Sequence, residues 1–297
     1  MNVDDLRVFV KVAELASFTR AAEALGMPKA RASQRVQALE AALGARLLQR
    51  TTRTVRTTRD GEQLLPRALR LIGDADEVVT MFQGGRALRG VVRIDLPVNL
   101  ARDLLIPRLP EFLAAHPHLE LQLSTTDRRV DVVREGFDCV LRVGTLAVSG
   151  LIAQRLGELP MATCASPAYL KRHGVPRTIA DLAQHQLVHY ALRLGVESPS
   201  FEYLDGDRYA TVPMRAVVTV NTADAYRAAC LAGLGLIQVP RLGVRALLDD
   251  GALVEVLADF PSEPMPVSLV HSHGRTVPKR VRAVMTWIAS IITPRLG

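Results

Sequence analysis

The chain has 297 residues, 48% hydrophobic and 23% charged, a length and composition that predict a globular protein of about two domains. It holds no uninterrupted apolar run of about 18 residues, which argues against a membrane span, and its three cysteines (Cys139, Cys164, Cys230) are far apart without CxxC spacing, which argues against a disulfide framework or structural zinc. The net charge of +7 is uneven: residues 1–59 carry eleven Lys and Arg against five Asp and Glu, a net of +6, so this first fifth is expected to meet a polyanion.

The N-terminal stretch MNVDDLRVFVKV has acids where a signal peptide needs bases, and no cleavage site follows, so a cytoplasmic location is expected. Leu6, Phe9, Val10 and Ala13 form the stripe of a first amphipathic helix. A second helix, short and alanine-rich, starts near Ser17 or Thr19 and ends at Gly26. Pro28 fits the first turn of a third helix, and Ala32, Val36, Leu39 and Leu43 give that helix its buried stripe. Opposite the stripe lie Ala30, Gln34, Gln37 and Ala41, flanked by Arg31 and Ser33 and edged by Lys29 and Arg35. A face meant only for solubility would more often carry Glu and Lys in i, i+4 pairs. Two helices joined at a glycine, the second presenting amides and arginines, read as a helix-turn-helix, because Gln and Arg can make paired hydrogen bonds to base edges.

RTTRTVRTTRDG follows at residues 50–61, with arginine at every third position: Arg50, Arg53, Arg56 and Arg59. Its Thr and Val favour a strand hairpin turning near Arg53. A step of three throws arginines onto both faces of a strand, so this ribbon is expected to have no core face and to lie between phosphate walls. The whole stretch SFTRAAEALGMPKARASQRVQALEAALGARLLQRTTR resembles the DNA-binding domain of LysR-type transcriptional regulators, ungapped over roughly the first sixty residues. The resemblance implies that Lys29, Arg31, Ser33, Gln34 and Arg35 contact double-stranded operator DNA, with Arg50 and Arg53 in the wing. Pro28 departs from the serine that many members carry at that position.

In the connector, Leu65, Ala68, Ile72, Ala75, Val79 and Phe82 form a heptad seam, the pattern of a helix paired along its length. Thr58 is expected to cap this helix and Gly84-Gly85 to end it, while Pro66 should bend its first turns at a cost on the order of 3 kcal/mol. The resemblance implies the linker helix of a dimer, in a family that often assembles as a tetramer.

From residue 90 strands and helices alternate, which argues for an α/β fold with parallel sheets: VVRIDLPV a strand, LLIPRLPEFLAAHP a helix interrupted by proline, LELQLSTTD a strand, VDVVREGF helical, DCVLRVG a strand. LPMATCASP reads as a strand that could open a second lobe, and MRAVVTVN, TADAYRAACLAG and LGLIQVP repeat strand, helix, strand. PVSLVHS and a last helix, VRAVMTWIASII, close the chain. DLPVN, EGFDCVLRVG, CASPAYL and GLGLIQVP match recurrent stretches of the family's effector module. The resemblance therefore implies a winged helix-turn-helix over residues 1–58, a linker helix over 59–89 and a two-lobed α/β effector domain like the periplasmic binding proteins over 90–297. Its lobes are expected at 90–163 with 266–297, and at 164–265.

Ligands of open α/β sheets lie beyond the carboxyl ends of strands. Pro97, Val98 and Asn99 follow one such end, Asn221 and Thr222 another, and each should offer unpaired backbone N–H groups to an anion. Arg142 can add a full positive charge, so a small carboxylate between the lobes is the expected effector. No catalytic motif and no cofactor signature is present: GLG at 233–235 lacks the third glycine of a dinucleotide fingerprint, and neither GxSxG nor GxxxxGK[ST] occurs. The pairs His271/His273 and His185/His189 have no neighbouring ligand cluster, so neither catalytic nor metal residues are assigned.

Overall fold

The computed structural model of the protein describes residues 2–50, 55–82, 88–146, 150–196, 198–273 and 277–297. The N-terminal unit packs α1 (Val3–Leu15), α2 (Phe18–Ala24) and α3 (Lys29–Leu43) around Leu6, Phe9, Ala21, Ala32, Val36 and Leu39, all buried. Asn2 caps α1 in a capping box with Asp5, and the Ser17 hydroxyl accepts the Arg20 N–H at 3.3 Å to start α2. Pro28 sits at the N-cap of α3, one residue before the first turn the sequence suggested, with extended backbone and no side-chain cap. Gly26 and Gly44 adopt the left-handed φ of 62° and 63° that ends a helix. Leu43 leaves the expected stripe: it is 41% exposed, because residues 41–44 overshoot the core by a turn.

Strands β1 (Leu48–Arg50) and β2 (Val55–Thr57) pair antiparallel, with Gln49 opposite Arg56. The ribbon is not coreless. Leu48 is buried and Val55 packs on the three-helix core, so one face is apolar and Gln49 and Arg56 look outward from the other. Next, α4 (Arg59–Phe82) runs unbroken through Pro66. The Thr58 hydroxyl accepts the Gly61 N–H at 3.1 Å and donates to the Arg46 carbonyl at 2.5 Å, tying the helix start to the ribbon base. A Cβ on Gly61 would lie 2.1 Å from the Leu47 carbonyl oxygen, so only glycine permits this approach. Leu65, Ala68 and Ile72 pack on the chain's own three-helix core, so the first half of the expected seam is occupied within the protein. Ala75 is half-buried; the side chains of Val79 and Phe82, and Gly84-Gly85, lie outside the described residues.

The chain continues through β3 (Gly90–Leu96), α5 (Val98–Leu100), α6 (Leu109–Ala115), β4 (Leu119–Thr125), β5 (Cys139–Val143) and β6 (Ile152–Leu159). Between α5 and α6 the helix passes through a π turn and a 3-10 turn, because Pro107 and Pro110 each remove a donor from the ladder. VDVVREGF forms turns rather than a helix: the Asp131 carboxylate takes the Val133 and Arg134 N–H groups, and Gly136 at φ 75° stops the turn. There follow β7 (Met161–Ala165), α7 (Pro167–His173), β8 (Leu187–Tyr190), β9 (Ser200–Asp205), β10 (Arg208–Pro213), β11 (Ala216–Val220), α8 (Ala223–Leu231), β12 (Ile237–Pro240), α9 (Arg245–Asp249) and β13 (Val254–Glu255). Finally β14 (Met265–His271) and α10 (Lys279–Ile292) return to the first lobe.

The first lobe is one five-stranded sheet in the order β4-β3-β5-β14-β6, covered by α10 through Val281, Val284 and Ile288. β3 runs parallel to β4 and β5, whereas β14 is antiparallel to β5 and β6. The second lobe holds β12-β7-β13, all antiparallel pairs, beside the parallel pair β11-β8 and the hairpin β9-β10. The sheets are thus mixed rather than parallel, because the chain crosses between lobes twice and returns in the opposite sense. Residues 161–163, placed in the first lobe from sequence, bond to β12 and go with the second.

Candidate nucleic-acid interface and interlobe cavity

On α3 the face opposite the core is open. Ala30, Gln34, Gln37 and Ala41 are all exposed, as are Lys29 and Arg31, and Ser33 is half-exposed beside them. Arg35 is held differently: its Nη1 lies 3.2 Å from an Asp5 oxygen and 3.6 Å from one of Asp4, so it clamps α3 to α1. The ribbon is positioned by Glu40, whose Oε1 accepts the Leu47 and Leu48 N–H groups at 2.8 and 3.1 Å. The Arg50 side chain and all of Arg53 lie outside the described residues.

Between the lobes lies a cavity of about 880 Å3, bounded by Pro97, Asn99 and Arg142 among the residues expected from sequence. Val98, Asn221 and Thr222 do not form its wall; Thr222 caps α8 by accepting the Ala225 N–H at 3.3 Å. At each of the two strand ends one of the N–H groups expected to be unpaired is taken by the protein itself. Asp127, just after β4, accepts from Val98 N with one oxygen at 3.4 Å and from Ala223 N with the other at 2.8 Å. One carboxylate of the protein thus fills the helix starts of both lobes, where partial positive charge gathers. Asn99 caps nothing: its Oδ1 accepts from Arg102 at 3.1 Å.

Arg102 also crosses the cleft to Asp224 at 3.0 Å, while gripping Asp103 at 2.6 Å. Hydrogen bonds to Asp103 and then Asp224 hold its guanidinium above the ordinary arginine range, and Arg102 in turn lowers Asp103. The pair is half exposed, so it contributes about 0–1 kcal/mol to closure.

Arg142 is built in more firmly. Its Nη1 donates at 2.8 Å to Asp95, which is fully buried and also accepts from the Thr126 hydroxyl at 3.1 Å. Its Nη2 is buried and has no hydrogen-bond acceptor among the described residues. A buried charged donor left so costs about 1–3 kcal/mol or more, a cost that an acceptor brought to it removes. Tyr190, also in the wall, has its hydroxyl pushed up to about 12, first by burial and then by the charge of Asp127.

Comparison with known proteins matches residues 3–62 to the bacterial regulatory helix-turn-helix proteins of the lysR family and residues 85–291 to the LysR substrate binding domain. The chain belongs to the LysR family. It is 44% identical to an uncharacterized HTH-type transcriptional regulator, YhjC, of Escherichia coli, over 98% of both chains. It is 34% identical to an HTH-type transcriptional repressor of Pseudomonas aeruginosa, over 96% of this chain and 90% of that one. The solved structure of CrgA, a LysR-type regulator of Neisseria meningitidis, aligns with a TM-score of 0.61 at 30% identity over 98% of each chain. Full-length AphB, the Vibrio cholerae virulence activator, aligns with a TM-score of 0.56 at 29% identity over 98% of this chain and 99% of that one. The protein is thus a LysR-type DNA-binding transcriptional regulator with an effector-binding domain, and its relatives are regulators rather than enzymes. No helix among the described residues is long and apolar enough to cross a membrane.

In this LysR regulator the sequence reading passed over Asp127, Arg102 and Glu40. Asp127 carried the same signal as Asn99 and Asn221, a short polar side chain at the carboxyl end of a strand, in STTDRRV. Arg102 has near partners in Asp103 and Asn99, but its bond across the cleft spans 122 residues, and the partners of Glu40 lie seven and eight residues away.

Proposed function

We propose that the start of α3 enters the major groove of operator DNA, with Lys29, Arg31, Ser33 and Gln34 at the bases and phosphates and the Arg50–Arg53 wing along the backbone. The exposed face of α3 supports this reading, being made of small, amide and basic side chains rather than of solvating ion pairs. Two copies pair along α4. Leu71 and Val78, seven residues apart, are 46% and 55% exposed on that helix, and this apolar pair takes over from the seam positions that the protein covers itself. The effector is a small carboxylate bound between the lobes, its head on Arg142, and it acts through a difference in affinity for two arrangements of the lobes or subunits.

The observation that carries the effector reading is the buried, acceptor-less Nη2 of Arg142 in the cavity wall. Titrating carboxylic acids into wild-type protein and into Arg142→Met by calorimetry tests it. An acid that binds the wild type should bind the variant at least about tenfold more weakly, as removal of one charge-assisted hydrogen bond requires. Equal affinity removes Arg142 from the site. The DNA reading is tested by gel shift on the chain's own upstream region, where Gln34→Ala should lose about 1–3 kcal/mol and Lys29→Ala should lower the salt slope by about one.

A further inference from the structure

The interlobe cavity is walled mostly by hydrocarbon. Leu100, Val140 and Val270 face it from the first lobe, and Tyr190, Val239 and Val244 from the second. Most charges around it are paired: Arg128 with Glu135, Arg227 with Asp224, and Arg142 through Nη1 with Asp95. Arg129 also lines it, exposed and with no ion pair among the described residues, and two further groups stand out from that balance. Nη2 of Arg142 is a buried donor with no acceptor among the described residues. Asp127 is a carboxylate that accepts two backbone N–H groups, one from each lobe, and forms no ion pair among the described residues. The two are neighbours through a short chain, because Thr126, next to Asp127, donates to the same Asp95 that holds Arg142.

We propose that the cavity takes a compact monocarboxylate with an apolar aryl or branched-alkyl body, its head on Nη2 of Arg142, and that Asp127 sets this selectivity by filling with the protein's own charge the helix starts that a second acidic group would need. The proposal rests on the reading of Arg142 given above and adds to it the number of acidic groups and the nature of the body. Apolar walls reward a body that leaves water, and a polar solute would strand its hydration there. A second carboxylate on the ligand would face Asp127 in a site of reduced dielectric, with one N–H at each helix start already taken, while Arg129 is exposed and screened by solvent.

Matched pairs of acids that differ by one carboxylate test this on the full-length protein by calorimetry and thermal shift. The pairs are phenylacetate with phenylmalonate, 3-phenylpropanoate with benzylmalonate, and 4-methylpentanoate with isobutylmalonate; acetate and succinate serve as acids without a body. At least one monoacid should bind and raise the melting temperature. Its malonate should bind at least about tenfold more weakly to wild-type protein, and acetate and succinate more weakly still. In Asp127→Asn, which removes the charge and keeps an acceptor, the gap within the pair should shrink to below about threefold. A malonate that binds wild type as well as its monoacid overturns the proposal without recourse to any variant, and so does a gap that Asp127→Asn leaves unchanged, or binding of acetate or succinate in preference to all three monoacids. The Arg142 reading fails separately: monoacids that bind equally to wild type and Arg142→Met sink that reading, whereas loss of binding in Arg142→Met with no pair discrimination sinks only the role of Asp127. Absence of binding by every acid overturns both.

Discussion

Arg31 and Arg35 sit about one turn apart on α3 and share a charge, yet the chain uses them differently. Arg31 is exposed, while Arg35 is mostly covered and shared between Asp4 and Asp5 at the start of α1. Those acids also lie in the first turn of α1, where negative charge is favoured, so the guanidinium joins one helix start to the flank of another helix. Arg35→Ala should therefore lower the stability of the N-terminal unit by about 0.5–1 kcal/mol, the value of a partly covered ion pair, and weaken DNA binding through that loss. Arg31→Ala should leave the melting temperature unchanged and weaken DNA binding directly. Thermal melts beside gel shifts at two salt concentrations separate the two. An unchanged melting temperature in Arg35→Ala would make it a contact residue like Arg31.

Among the elements, α4 has the most demanding position, since it touches both halves of the molecule. Leu65 and Ile72 pack on the three-helix core, Arg7 pairs with Asp76, and Arg70 donates at 3.0 Å to the Ser272 hydroxyl and to the Val133 carbonyl of the first lobe. Arg280 of α10 donates to the Gly73 carbonyl at 3.0 Å. Pro66 fits because its ring meets a glycine: a Cβ on Gly136 would lie 2.3 Å from the Pro66 Cβ. Gly136→Ala should cost more than about 1 kcal/mol, since its φ of 75° is already strained for any other residue and α4 would have to move off the lobe. The measurement is a melt of the full chain together with the change in gel-shift affinity on adding ligand. A variant as stable and as ligand-responsive as wild type would show that this contact neither holds α4 nor transmits through it. The same contact shows why the sequence could be read only in part. The exposed face of α3 and the cap at Thr58 follow from local spacing and were legible. Pro66 and Gly136 lie seventy positions apart, and Asp127 meets partners 29 and 96 positions away. Such pairings are set by how the sheets close, and no period in the sequence records them. Leu48 misled for a related reason: the arginine spacing was correct, but it carries no information on which face of the ribbon the helices would cover.

Across the whole molecule, protonation should act on both lobes in the same direction. His271 in the first lobe is held below the ordinary histidine range by burial and then by His273, which stacks on it at 6.0 Å. His185 in the second lobe is lowered by burial and then by His173, with its Nδ1 3.2 Å from the Tyr169 hydroxyl. Each is depressed in the folded state, so the unfolded chain takes up protons first as pH falls. Their stabilising effect is fully present above the unfolded value of about 6.5 and is lost as pH drops from there through the folded values. Asp103 and Glu135, lowered by Arg102 and Arg128, add a second loss in the carboxylate range. Glu202 opposes it, because burial raises its carboxyl and favours the protonated form in the fold. The melting temperature should therefore fall between pH 7 and 5, before any carboxylate pair is lost, and fall again below about pH 4. His185→Gln and His271→Gln should each flatten part of the first decline and leave the second untouched. A melting temperature constant from pH 7 to 5 would show that neither histidine is neutral because of the fold, and a decline that survives both substitutions would place its origin elsewhere.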